Sequence, residues 1–566
     1  MARLKHRLST SWVQAAPGKA IEGNVRVLLL PFAPRFLPLT LSLLATAALG
    51  AGILLYPAWA PEIAVPLAIT GLLSLVGLHD VLQTRHSILR NYPIAAHLRF
   101  LFEKIRPEMR QYFFEGDKDG TPFSRDNRAV VYQRAKMQLD KRPFGTQIDV
   151  YSGAYEWMTH SIAACEPTRE PFRIMVGGEA CAAPYAASVL NISAMSFGAL
   201  SANAIRALNK GARIGGFAHD TGEGGLSPYH KEHGGDIIWE IGSGYFGCRN
   251  ADGSFNAEKF AATSALPQVK MVELKISQGA KPGHGGVLPA AKVSLEIAGI
   301  RGVARGEDCI SPSRHPAFST PVGMLRMIAD MRRLSGGKPA GFKLCIGHPW
   351  EFLAIIKAML ETGITPDFIV IDGKEGGTGA APLEFVDHVG MPLRDGLAFA
   401  HNALVGAGVR DKIRLAASGK IVSAFDMARA IALGADWCNA ARGFMFAVGC
   451  SQAQSCHTDR CPTGVATQDP SRQRALVVDD KSVRVAQFHK ATLQAFAELI
   501  AAAGLAHPEQ LRPYHISKRT SATATATYAV LYPALAPGEL IAGCEDRRYA
   551  EAWRLARADS FARVDA

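Results

Sequence analysis

Between residues 188 and 441 the chain repeats one unit: a short apolar run, a cluster of small or polar residues, then an amphipathic stretch. The apolar runs cover residues 189–194, 216–220, 272–277, 340–346, 367–371, 413–417 and 437–441, with amphipathic stretches at 202–214, 324–334, 351–361 and 424–433. Strand–helix units in series predict a parallel sheet. Each run ends in residues that suit a binding face: SAMSFG, HDTGEGG, ISQGAKPGHGG, KLCIGHP, IDGKEGGTG, ASGKI and NAARGF. An open dinucleotide-binding sheet would carry one glycine fingerprint after its first strand. Glycine at many strand ends instead predicts an α/β chain folded as a (β/α)8 TIM-type barrel, whose active site lies on that face.

The amino-terminal part follows a different pattern. Residues 36–56 carry no charge and are long enough to span a bilayer. After PAWAPE a second apolar run covers 63–78, extendable to 82 with Asp80 at the interface. A transmembrane helical hairpin is expected. Lys5, Arg7, Lys19, Arg26 and Arg35 precede it, Arg85 and Arg90 follow it, and the connecting loop holds only Glu62. The positive-inside rule then puts both ends and the catalytic domain in the cytoplasm, on a multi-pass protein of the cell inner membrane. A signal peptide cleaved at Ala58-Trp59-Ala60 would have an overlong leader with a second apolar run behind it; two buried core helices are the other alternative. At 566 residues several units are expected. They are a cytoplasmic segment (1–35), the hairpin (36–82), a linker or elbow (83–185), the barrel with a cysteine loop (186–470) and a short helical extension (471–566). The net charge of +12 is not gathered on one basic face and no nucleic-acid module is present, so nucleic acid is not an expected partner.

Three features carry chemistry. The loops IDGKEGGTGA and ASGKI, with Ala441-Arg442-Gly443, could cradle a phosphate late in the barrel. Lys343 interrupts an apolar strand, GFKLCIG, where an ammonium is costly unless it meets an anion; it either points inward to one or snorkels outward. In a flavin enzyme such a lysine would stabilise the negative charge of the reduced ring. Cys450, Cys456 and Cys461 stand five and four residues apart, with Pro462 after them. A structural zinc site wants four ligands, and His457 next to Cys456 makes a strained fourth. Three thiolates suit a three-iron cluster.

These segments together resemble the glutamate synthase large-subunit family. CSQAQSCHTDRCPTGVATQDP looks like its cluster-binding loop. ISAMSFGALS, DTGEGG, KISQGAKPGHGGVLP, CISPSRH and IDGKEGGTGA are similar to its barrel signatures in the same order, over about residues 188–470. The resemblance implies an oxidoreductase acting on CH–NH2 donors, with FMN and a [3Fe-4S] cluster. Such an enzyme forms glutamate from 2-oxoglutarate and ammonia by flavin hydride transfer to 2-iminoglutarate. It implies that Ser193, Ala194, Met195 and Ser196 lie against the isoalloxazine with Gln278, and Lys343 on its N1 side. Gly373, Gly376, Gly377, Gly419 and Gly443 would cradle the phosphate, and Cys450, Cys456 and Cys461 would hold the cluster. Glu223, Lys275 and Lys281 would be catalytic, and Arg301 would clamp a substrate carboxylate.

The first cysteine is Cys165, so the family's glutaminase nucleophile is expected to be absent, as is its long C-terminal β-helix. His284 stands where the family usually has Glu. Expected partners are a 2-oxo acid, ammonia or an amine, the membrane, and an electron donor protein (a ferredoxin or reductase subunit), since no second nucleotide fold is seen. Two other readings stay open. One is a related enzyme joining an amine to a 2-oxo acid; the other is a membrane flavin/iron–sulfur module passing electrons to a quinone or partner protein.

Overall fold

In the computed structural model, which describes residues 30–564, the repeated units wind into a closed barrel of eight parallel strands. These are β1 (Leu190–Ile192), β2 (His219–Asp220), β3 (Ile237–Ile241), β4 (Val269–Lys275), β5 (Ala340–Leu344), β6 (Phe368–Asp372), β7 (Arg414–Ser418) and β8 (Trp437–Ala440). Each strand pairs with the next. The ring closes where β8 meets β1, with Cys438 opposite Leu190 and Ala440 opposite Ile192. The strands are buried almost throughout, as parallel strands sheathed by helices must be. Seven strands fall on the expected runs. The eighth, β3, was not foreseen, because the crossover before it holds only the four-residue helix Pro228–Lys231 and no helical period develops to punctuate the sequence IIWEI.

Helix ends explain the sharp turns at the barrel mouth. Ser201 caps Ala202–Gly215 through the Ala204 N–H, and Thr320 caps Pro321–Leu334 through Gly323. Ser423 and Asp426 form a capping box on Ala424–Ala432.

The molecule divides at Gly120/Thr121 into two units. The second unit adds to the barrel the helix Arg125–Ala135 and the 25-residue helix Val478–Ala502, which packs on both Arg125–Ala135 and Ala202–Gly215. Glu156–Met158 pairs antiparallel with Ile516–Arg519, which pairs with Thr525–Thr527, so the mostly helical carboxy-terminal extension also contributes to a small sheet. Glu156 there is shared by Arg394 and Arg429.

The first unit contains α1 (Leu37–Leu55) and α2 (Ala60–Leu82), packed antiparallel. Small residues line their contact. Thr46 Oγ1 lies 3.2 Å from Ser74 Oγ, and a Cβ at Gly77 would come within 2.7 Å of Leu39 Cδ1. Leu41, Leu44, Leu54, Val65, Leu72 and Leu75 face outward, and by length and composition both helices could cross a membrane. Asp80, expected at an interface, is buried; its carboxylate accepts from Ile94 N–H at 2.9 Å and meets His97 Nε2 at 2.9 Å. Lys5, Arg7, Lys19 and Arg26, on which the topology expectation leans, lie outside the described residues.

Candidate active site

The polar strand ends converge at the carboxy-terminal mouth of the barrel. Following β1, Ser193 Oγ sits 3.2 Å from Ser418 Oγ at the end of β7. The loop after β2 carries Glu223, whose carboxylate meets Lys275 Nζ at the end of β4 at 3.0 Å and accepts from Ser311 Oγ at 3.3 Å. Burial works against ionising Glu223, but Lys275, Arg301 and Lys281 outweigh it and bring its carboxyl down to about 2. Lys281 donates to the Ala380 carbonyl at 2.8 Å, bridging the loops after β4 and β6. Burial lowers its ammonium to about 8, with Glu223 opposing the fall. His315, held neutral by burial at about 4, donates to the Lys275 carbonyl at 2.7 Å and fixes that strand end.

One cavity of about 120 Å³ is lined by Ala194, Met195, Ser196, Glu223, Lys275, Gln278 and Lys281, and also by Cys456 and His457. A second, of about 50 Å³, is lined by Ser193, Ala194, Gln278, Lys343, Gly376, Gly377 and Gly419, together with Lys420 and Arg442. This set suits a flavin mononucleotide: amide and hydroxyl groups for a polar ring edge, and glycine backbone with two cations for a phosphate. Gly419, at φ +144°, holds a backbone conformation that side chains rarely adopt. Gly373 crosses the loop after β4, where a Cβ on Gly279 would overlap its carbonyl oxygen. A Cβ built on Gly443 would meet the Phe488 ring at 3.2 Å. Arg301 sits behind the site, donating to the Phe197 carbonyl at 3.1 Å with its guanidinium over the Phe246 ring. The His284 ring stands edge-on to Phe385, 5.1 Å between centroids, and does not line either cavity.

Cys450 and Cys461 are buried and Cys456 half-buried. The loop joining them turns through three non-glycine residues with positive φ, Gln452, Gln454 and Asp459, a conformation that persists only where its surroundings hold it. Among the described residues the three sulfurs do not form a donor set within 4.8 Å. Three cysteine thiols on one loop are the donor type an iron–sulfur cluster takes. Hydrogen bonds from Thr463 and from the backbone at Ala466, Thr463 and Val465 overcome burial and lower the Cys461 thiol; burial raises Cys450 to about 11.

Sequence reasoning missed several residues. Lys292 is buried and donates to the carbonyls of Ala199, Cys456 and Ala466 at 2.7, 3.2 and 3.1 Å, tying the cysteine loop to the loop after β1. Arg442, by contrast, was anticipated with the phosphate cradle, and it donates to the Thr378 carbonyl at 2.7 Å. Glu240 and Glu273 stand within apolar strands, the same signal that singled out Lys343.

Residues 165–506 match the family model described as the conserved region in glutamate synthase. The chain belongs to the glutamate synthase family. Like that family, it is an oxidoreductase acting on CH–NH2 donors. It is 40% identical over 498 residues to the "glutamate synthase large subunit-like protein YerD" of Bacillus subtilis, covering 81% of this chain and 94% of that protein. It is 37% identical over 322 residues to the "archaeal glutamate synthase (NADPH)" of Methanocaldococcus jannaschii, covering 57% of this chain and 60% of that one. Among solved structures, a doubly substituted flavocytochrome b2 with sulfite bound aligns over 79% of this chain and 90% of its own. Its 13% identity and TM-score of 0.39 make the likeness too distant to add to the family assignment.

Proposed function

We propose that this glutamate synthase-type enzyme binds FMN and a [3Fe-4S] cluster and reductively aminates 2-oxoglutarate, or a related 2-oxo acid, with ammonia or an amine. The observation that carries the reading is the shared cavity, where Glu223, Lys275 and Lys281 face the cysteine loop through Cys456. Ser193, Gln278, Lys343, Gly376, Gly377, Gly419 and Arg442 would hold the flavin, and Cys450, Cys456 and Cys461 the cluster. When bound, FMN supplies hydride to an electron-poor carbon. Lys275 and Lys281 attract the substrate's carboxylate and oxo oxygens and hold that carbon against the ring. Glu223, kept ionised by Lys275, accepts a proton from the nitrogen donor as the carbon–nitrogen bond forms. Electrons arrive from a donor protein, a ferredoxin or reductase subunit, on the side of the cysteine loop. The apolar pair α1 and α2 supports anchorage in the inner membrane with the barrel in the cytoplasm.

The test is anaerobic reduction of the purified protein followed by mixing with a panel of 2-oxo acids, each with ammonium or amines. Reoxidation that needs both a 2-oxo acid and a nitrogen donor, with an amino acid as product, supports the reading. Reoxidation by a quinone alone would replace it with the electron-relay reading.

A further inference from the structure

Four buried charged side chains beneath the cavity have no part in the chemistry above except that Lys343 also lines the flavin site. Asp220, Glu240, Glu273 and Lys343 project from β2, β3, β4 and β5 into the barrel interior, each at most 4% exposed. An oxygen of each acid lies within 4.8 Å of those of the other two. The Lys343 ammonium contacts Glu240 and, at 3.3 Å, Glu273. Asp220 Oδ1 accepts from Gly222 N–H at 2.9 Å, whereas Glu273 Oε2 finds no hydrogen-bond partner. The other charges facing this layer are Asp372 on β6 and Lys275 on β4, and Lys275 is engaged by Glu223. Three buried carboxylates this close, with one ammonium among them, cannot all stay ionised at rest. A metal ion could also gather three acids, but the Lys343 ammonium already contacts two of them.

We propose that this layer stores one exchangeable proton, shared between Glu273 and Asp220, and delivers it through Glu240 to the cavity above. Glu240 is suited to that step because it lines the cavity beside Glu223 and Lys275 while pairing with Glu273 across the β3–β4 register. In delivery an O–H bond of the stored acid breaks, the proton passes to the group being reduced, and the carboxylate left behind stays ionised only until it is reprotonated. The electrons come from the donor protein, and solvent refills the store. Burial, reinforced by the neighbouring carboxylates, raises the Asp220 and Glu273 carboxyls, while the three acids keep Lys343 protonated. The use of the proton rests on the proposed reaction; its storage does not.

Infrared spectroscopy of the holoprotein at about pH 8, where ordinary carboxyls are fully ionised, tests the storage. A neutral-carboxyl carbonyl band that shifts in deuterated buffer is expected, and Glu273→Gln or Asp220→Asn should remove it. Stability supplies a second readout. The folded state keeps a proton that the unfolded chain releases above about pH 4. The unfolding equilibrium should therefore shift towards the unfolded state about tenfold per pH unit above that point, until the folded acid itself titrates. Glu273→Gln should flatten this slope. Delivery is read as the rate of proton uptake from solvent during anaerobic reduction, which Glu240→Gln should slow at least tenfold. The proposal is overturned by the absence of a neutral-carboxyl band, by its survival in both single variants, or by unchanged proton uptake in Glu240→Gln. A band in a protein that no 2-oxo acid reoxidises would sink the reaction and leave the store standing.

Discussion

Lys281 shows how one side chain sets a condition for turnover. Its ammonium, lowered by burial to about 8 with Glu223 opposing, is charged below that pH and neutral above it. If it binds a substrate carboxylate, KM for the 2-oxo acid should rise about tenfold per pH unit above pH 8 with kcat little changed, and Lys281→Arg should remove the rise. A flat KM through pH 9 or so would contradict its role. Gly279 makes a steric case: with the Gly373 carbonyl where its Cβ would be, Gly279→Ala should cost about 1–3 kcal/mol and lower flavin occupancy, read by denaturant titration and by absorbance. Lys343 was legible because a lysine in an apolar strand must find an anion, yet the anions it found, Glu240 and Glu273, stood in IIWEI and VKMVELK with the same signal. A single charge in a strand shows that a partner is needed; only the closed barrel shows which strands meet.

At the scale of elements, the strand ends were readable and the crossovers less so. Runs followed by long amphipathic helices were found, while β3, with only a four-residue helix before it, was not. Within the stretch read as a linker or elbow, Glu156–Met158 completes a small sheet with Ile516–Arg519, a partner about 360 residues away that local sequence does not show. The barrel's amino-terminal rim is held by a buried network that sequence also concealed. Arg332 Nε donates to Asp367 Oδ2 at 2.7 Å, and Asp367 also accepts from Gly178 and Ala340 N–H, both at 2.8 Å. Removing the carboxylate leaves Arg332 buried and uncompensated, so Asp367→Ala should destabilise the protein by about 3–5 kcal/mol, measured by equilibrium unfolding. A loss below about 1 kcal/mol would place this pair with solvent-screened ones.

Over the whole molecule, every residue assigned to cofactor or substrate lies in the unit that begins at Thr121. A chain starting there should remain in the supernatant after high-speed centrifugation and still bind FMN, whereas the full chain should sediment with membranes. A colourless or aggregated product would show that the first unit is needed for the barrel to fold. On the proposed mechanism the cavity keeps substrate chemistry apart from electron entry. Rapid-mixing measurement of the two half-reactions in Lys275→Gln tests it most directly. Reduction by the donor protein should proceed at the wild-type rate, because Lys275 faces the substrate side with Glu223. Reoxidation by the 2-oxo acid and nitrogen donor should slow about a hundredfold or more, as expected when one electrostatic group at the reacting centre is lost. Equal slowing of both half-reactions, or of neither, would contradict the account.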